Sequence, residues 1–297
     1  MAKNNPSESF VQQIKKQVKK NSKLISIIYK TKGTITYLFQ YFKLCRCLFL
    51  KKVYFGPYMA AKQGGVEVRH FFMQKLVENE CNKRDRENFK ILEVGSWAGG
   101  SAITWAEAIS KCNKRGGEVY CIDPWVNYKN TTKLMHEALR KNKIFDLFQH
   151  NINASGYGDM IFMFRGFSGN ILPMLKNNQF DLIFVDGDHS YKAVLQDIQN
   201  AAPLLKEGGI LCGDDLELQY FEIDIENAKK NKEQDFIIDT KTQNHFHPGV
   251  CLAIGEFLGK EVSAWHGFWA MRKKENKWEK IELHVDIQNI EIPQHLK

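Results

Sequence analysis

The stretch ILEVGSWAGGSAITWA, Ile91–Ala106, joins a short apolar run to a helical one through Gly95, Gly99 and Gly100. Ile91, Leu92 and Val94 read as a buried strand, and SAITWAEAISKC reads as the amphipathic helix that follows it. Glycines at such a junction let the backbone turn tightly and approach a ligand, while the helix start offers N–H groups without intrahelical partners. The pattern is G-x-x-x-G-x-S, with Trp97 where a dinucleotide fingerprint needs its second glycine, so NAD is disfavoured.

Outward from this junction the same alternation repeats. EVYCID, MIFMFRG, FDLIFVDG and GILCGDD are apolar strand-like runs, and segments such as YKAVLQDIQNAAPLLKEG between them carry helical periodicity. Continuous apolar strands alternating with amphipathic helices predict a parallel sheet covered on both faces, a doubly wound α/β domain. Ligands of such folds bind beyond the carboxyl ends of the strands. Near the C-terminus, EVSAWHGFWAMRK and KWEKIELHVDI alternate about the polar KENK and predict an antiparallel hairpin.

The 297 residues suffice for one large domain with an appendage, and 43% hydrophobic content supports a sizeable core. The net charge of +8 is unevenly spread: Met1–Lys52 holds twelve Lys or Arg against Glu8 alone, which leaves about −3 for the rest. A nucleic-acid footprint on the main body is therefore not expected. We divide the chain into a basic amphipathic helical arm, residues 1–57, and a domain over residues 58–297. Val11, Ile14, Val18, Ile25 and Ile28 give the arm an apolar stripe between lysines, suited either to packing as a lid or dimer contact or to peripheral contact with an anionic membrane. The most apolar segment, Ile35–Leu50, carries Lys43 and Arg46 and does not meet the criterion for a span. Seven cysteines without a C-x-x-C pair read as reduced thiols and a cytoplasmic address, with the arm touching the inner membrane face in the second case.

Chemistry-bearing residues gather at strand ends. Asp123 closes VYCID and is placed to accept both hydroxyls of a ribose, which points to a nucleoside-bearing cofactor. Asp186 closes FDLIFVDG, and Asp214 and Asp215 close GILCGDD. If those two strands are neighbours, their carboxylates converge within roughly 5 Å, which is tolerable only around a cation. Three hard oxygen donors suit Mg²⁺ or a similar divalent ion. The alternative is capping of turns and helix starts, and for Asp188 that reading is preferred.

The glycine turn followed by the second-strand acid resembles the class I S-adenosylmethionine-dependent methyltransferases over the central zone. The resemblance implies a Rossmann-like, mostly parallel seven-stranded sheet. It also implies that Glu93, Gly95, Ser96, Gly99 and Ser101 hold the methionine part of S-adenosylmethionine, Asp123 the ribose, and Ser168 of RGFSGNI the adenine. The strand-end acids with Asp186-Gly187-Asp188-His189 look like the metal-dependent O-methyltransferases related to catechol methyltransferases, in the branch that methylates sugars, where this histidine is general base. Mg²⁺ on Asp186, Asp214 and Asp215, His189 as base, a sugar or glycan acceptor and a homo-oligomer are the expectations that follow. A phenol or natural-product acceptor is the enzymatic alternative, and a non-catalytic binding protein the other, although the turn and the acids stand intact. His245 and His247 of HFHPGV read either as acceptor-pocket or as exposed loop residues.

Overall fold

A computed structural model describes residues 36–61, 67–83, 88–113, 115–127, 133–275, 277–285 and 289–297. The apolar stripe of the arm lies outside these residues. The chain divides into two compact units, residues 1–50 and 51–297, so the larger unit reaches back to Lys51. Within the first, residues 36–49 form helix α1, on which Tyr37, Phe39, Phe42 and Phe49 are exposed. No helix among the described residues is long and apolar enough to cross a membrane.

The larger unit begins with helix α2 (Glu67–Lys83) and then alternates as the sequence suggests. Its elements are β1 (Phe89–Val94), α3 (Gly100–Cys112), β2 (Gly117–Asp123), α4 (Lys133–Leu139), α5 (Lys143–Ser155), β3 (Ile161–Arg165) and α6 (Ser168–Ile171). There follow β4 (Phe180–Val185), α7 (Tyr191–Ala201), β5 (Leu205–Leu216), α8 (Ile225–Lys230), the short β6 (Ile237–Ile238) and β7 (His245–Phe246), and α9 (Pro248–Phe257). Three strands end the chain: β8 (Ser263–Trp265), β9 (Gly267–Lys274) and β10 (Lys277–Lys280).

The main sheet runs β10-β9-β5-β4-β1-β2-β3, with β8 paired to β9 off that path. Strands β1 to β5 are parallel to their neighbours, and β9 enters antiparallel beside β5. The fold is thus α/β, with a Rossmann-like, mostly parallel sheet and a C-terminal antiparallel strand. The expected hairpin is present as β9 and β10. The run EVSAWHGFWAMRK is not one strand, however, because His266 and Gly267 take positive φ (52° and 90°) and fold β8 back onto β9.

Every residue of β4 is buried, which explains why FDLIFV is apolar without alternation. On one face the α3 residue Trp105 meets Phe184 edge-on, with ring centroids 5.6 Å apart. On the other, Ile183, Val185 and Leu211 share a core with Val194 and Ile198 of α7 and with Val250 and Ile254 of α9. Burying side chains of this size contributes roughly 1.5–3 kcal/mol each. These layers place the ends of β1, β2, β4 and β5 side by side. At the end of β5 the register against β9 shifts between Gly213 and Leu216, a bulge that takes in Asp214 and Asp215.

Candidate active site

A cavity of about 680 Å³ opens at these strand ends, and Gly95, Asp123, Ser168, Asp186, His189 and Asp215 are among the residues that line it. The structure therefore brings six sequence-selected residues onto one surface. Glu93, Ser96, Gly99, Ser101 and Asp214 are not part of the lining.

Gly95 turns the chain out of β1 at φ +90°, with its N–H on the Ile122 carbonyl (2.9 Å). A Cβ there would collide with the carbonyl oxygen of Asp186. Beneath the turn Glu93 is fully buried and accepts from Ser96 Oγ (2.9 Å) and Cys121 Sγ (3.3 Å). Burial pushes the Glu93 carboxyl up to about 6, against the hydrogen bonds from Ser101, Ser96 and Cys121. Glu93, Ser96 and Ser101 thus brace the turn from below.

Asp123 ends β2 and is 8% exposed. Its two oxygens accept from the backbone N–H groups of Trp97 (3.0 Å) and Trp125 (2.6 Å). A carboxylate oxygen has a second lone pair, so both remain able to take a ribose hydroxyl. Trp97 stands at φ +42°, costly for a residue with a Cβ, and its indole N–H is tied to the Ala60 carbonyl (2.8 Å).

At the adenine end expected from the sequence, Ser168 Oγ donates to Asp197 Oδ1 (2.6 Å). Asp197 lines the cavity, is 5% exposed, and is pushed by burial up to about 7. A carboxyl raised in the folded state binds its proton more tightly there than in the unfolded chain. Its stabilising effect is complete below about pH 4 and is lost as pH rises through about 7. Stability, read as the thermal midpoint, is expected to fall between about pH 4 and 7, by an amount on the order of 4 kcal/mol. Asp197→Asn should flatten that slope; parallel midpoint curves for the two proteins would refute the assignment.

The acids at the ends of β4 and β5 do not share one open centre. Arg69, from α2, places Nη1 2.9 Å from Asp186 Oδ2 and 2.7 Å from Asp214 Oδ2, and all three side chains are less than a tenth exposed. Asp215, at φ +65°, lies instead 3.0 Å from His189 Nε2 through Oδ2. His189 Nδ1 is held by Asp235 Oδ1 at 2.8 Å. Burial lowers the histidine's proton affinity, but the charge of Asp215 and its hydrogen bond, with that from Asp235, outweigh it and raise the pKa well above 6.5. Burial likewise pushes Asp186 up to about 8 despite Arg69, because Asp215 and Asp214 add like charge.

His247 completes this end. Its ring stands 4.7 Å from that of His189, and Nδ1 meets Glu217 Oε1 at 2.9 Å. His245 is exposed and stacks on Phe236. Asp188, expected as a helix cap, accepts from the Ser190 N–H (2.9 Å) in the turn that leads into α7, and the N-cap residue itself is Ser190. Sequence reasoning passed over Arg69, Asp197, Glu217 and Asp235; their roles come from contacts between segments far apart in the chain.

The donor set fits S-adenosylmethionine. A closed glycine turn and a strand-end acid face the cavity, and Asp214, Asp215 and Asp235 outnumber the cations Arg69 and His189, a surplus suited to a sulfonium cation. A Mg²⁺ held jointly by Asp186, Asp214 and Asp215 does not fit, since the guanidinium already bridges the first two. The groups whose ligand atoms lie within 4.8 Å of one another are mixed imidazole and carboxylate sets: Asp186 with His189 and Asp215, Asp215 with Glu217 and His247, and His189 with Asp235 and His247.

The chain is 27% identical over 140 residues to the uncharacterised protein R132 of Acanthamoeba polyphaga mimivirus, covering 47% of this chain and 57% of that one. It thus spans little more than half the length of that relative. Among solved structures it is similar to the O-methyltransferase NovP (16% identity, TM-score 0.49, 70% of this chain and 80% of that one). It is also similar to an O-methyltransferase from Bacillus cereus solved with SAH (19% identity, TM-score 0.39, 64% of this chain and 66% of that one). At such distances neither likeness speaks to what this chain binds. Residues 92–216, from β1 to β5, match the family described as Methyltransferase domain. The matched segment, less than half of the chain, is the one that carries the glycine turn and the parallel strands β1 to β5.

Proposed function

We propose that the chain is an S-adenosylmethionine-dependent O-methyltransferase acting on a hydroxyl of a sugar or glycan. The observation that carries this reading is His189, a residue of the cavity lining whose ring is held by Asp235 at Nδ1 and by Asp215 at Nε2. When bound, S-adenosylmethionine supplies a sulfonium methyl open to in-line attack. Gly95 and Asp123 bind and orient the donor. Asp235 fixes the His189 ring at Nδ1, and Nε2, once free of its proton and turned from Asp215 to an acceptor hydroxyl, takes the proton of that hydroxyl. Asp215, 3.0 Å away, stabilises the imidazolium that results. Asp188, His189, Asp215, Asp235 and His247 make the acceptor end polar, which suits a polyhydroxylated acceptor better than a flat phenol. Mg²⁺ was the expected activator, but the Asp186 and Asp214 carboxylates are already bridged, and the reading needs no metal step.

The test is calorimetric titration with S-adenosylmethionine, then an assay of S-adenosylhomocysteine formation with monosaccharides, nucleotide sugars and catechols. We expect donor binding that Asp123→Ala weakens at least tenfold, and turnover with a sugar. Absence of donor binding would refute the methyltransferase reading, and turnover with catechols alone would refute the acceptor class. For α1, exposed Tyr37, Phe39, Phe42 and Phe49 beside Lys43 and Arg46 favour contact with an anionic membrane surface.

A further inference from the structure

We propose that Arg69 is the resident cation of this centre, standing between Asp186 and Asp214 where a divalent ion would otherwise bridge them. A single nitrogen, Nη1, serves both Oδ2 atoms, at 2.9 and 2.7 Å. An ion such as Mg²⁺ binds carboxylate oxygens at about 2.0–2.1 Å and would need the volume this nitrogen fills. The two occupants exclude one another.

The guanidinium is poorly able to step aside. Its charge cannot be neutralised in the accessible pH range, and a buried charge stripped of its partners is strongly unfavourable. The helix that carries it is itself fixed. Phe72, Met73, Leu76 and Val77 of α2 are fully buried, and Glu80 near its far end holds the Arg272 guanidinium through both carboxylate oxygens. The remaining expected ligand is engaged elsewhere, Asp215 being in hydrogen-bond contact with His189. Among the described residues, Asp214 is also absent from the groups of side chains whose ligand atoms converge.

Arg69 does in this centre what a metal does in electrostatic terms, neutralising acids at the ends of β4 and β5 so that they can be buried. It differs in two respects. A guanidinium offers directional N–H donors instead of open coordination positions, and it is not removed by a chelator. Arg69 lines the cavity, so the cation borders the space where an acceptor would lie. That last consequence rests on the methyl-transfer reading; the identity of the cation does not.

The experiment is a Mn²⁺ titration followed by electron paramagnetic resonance on the full chain, comparing the parent, Asp214→Asn, Arg69→Ala, Arg69→Lys and the Arg69→Ala/Asp214→Asn pair. The parent and Asp214→Asn should bind Mn²⁺ identically, whatever the imidazole groups hold. Arg69→Ala should gain one further Mn²⁺, weakened at least tenfold by Asp214→Asn, and Arg69→Lys should gain none. If Asp214→Asn weakened Mn²⁺ binding tenfold in the parent, the ion would displace Arg69 and the proposal would fall. A folded Arg69→Ala chain that gained no ion would overturn it equally. Should Arg69→Ala not fold, the parent and Asp214→Asn decide by themselves. Because no arm of the titration depends on turnover, loss of the methyltransferase reading would leave its result standing.

Discussion

His189→Asn is expected to lower turnover about 10²–10⁴-fold, the usual contribution of a positioned general base, while S-adenosylhomocysteine affinity stays within about twofold. The size of the effect follows from the geometry. The ring is reached by Asp215 at Nε2 and Asp235 at Nδ1, and no other imidazole takes both contacts. An asparagine of similar size keeps one hydrogen bond but has no nitrogen that accepts a proton. Asp235→Asn should act through the same ring with a smaller loss, since it misorients the base without removing it. Single-turnover rates with saturating donor separate these from binding effects. A His189→Asn protein within threefold of the parent would remove His189 from the mechanism.

The second large effect is one of stability. Gly95→Ala places a Cβ against the Asp186 carbonyl and demands φ +90° of a residue with a side chain. Both obstacles are backbone, and β1 and β4 are locked together there by the Asp186 N–H on the Val94 carbonyl (2.9 Å). Relief would require parting the two strands, so we expect a loss above about 3 kcal/mol, beyond what overpacking alone commonly costs. Gly116→Ala is the control: φ is +76°, but nothing lies within 4 Å of the added atom. Its cost should be near 1 kcal/mol, the conformational part alone. Denaturant midpoints compare the two, and equal losses would mean that the Asp186 contact carries no cost.

The strands were legible because β1, β4 and β5 are buried on both faces, and burial on both faces leaves an uninterrupted apolar run. The acids that end them were legible for the complementary reason, charge where the run stops. What compensates that charge was not. Arg69 is one of 42 Lys and Arg residues, and nothing local distinguishes a helical arginine that turns inward from one that stays in water. Asp235 and His247 lie in segments outside the strands, and only the tertiary fold brings them to His189. Glu93, Ser96 and Ser101 were read from a motif as ligand contacts; they are buried outside the cavity lining, with Ser96 Oγ donating to Glu93 beneath the turn. Motif position locates a loop; it does not separate the atoms on its surface from those beneath.

Asn151, on the buried face of α5, accepts from the Tyr54 N–H (2.8 Å) and donates to the carbonyls of Tyr54 (3.1 Å) and Ala98 (2.9 Å). One amide therefore ties the segment that follows Lys51 to the glycine turn at Ala98-Gly99. For anyone shortening the chain, this sets a limit that no conserved motif would reveal. A fragment trimmed at residue 58, where composition changes, would discard the strand of backbone that Asn151 was built to hold and leave that amide with two unmet bonds in a dry interior. A fragment begun at Lys51 keeps the knot tied.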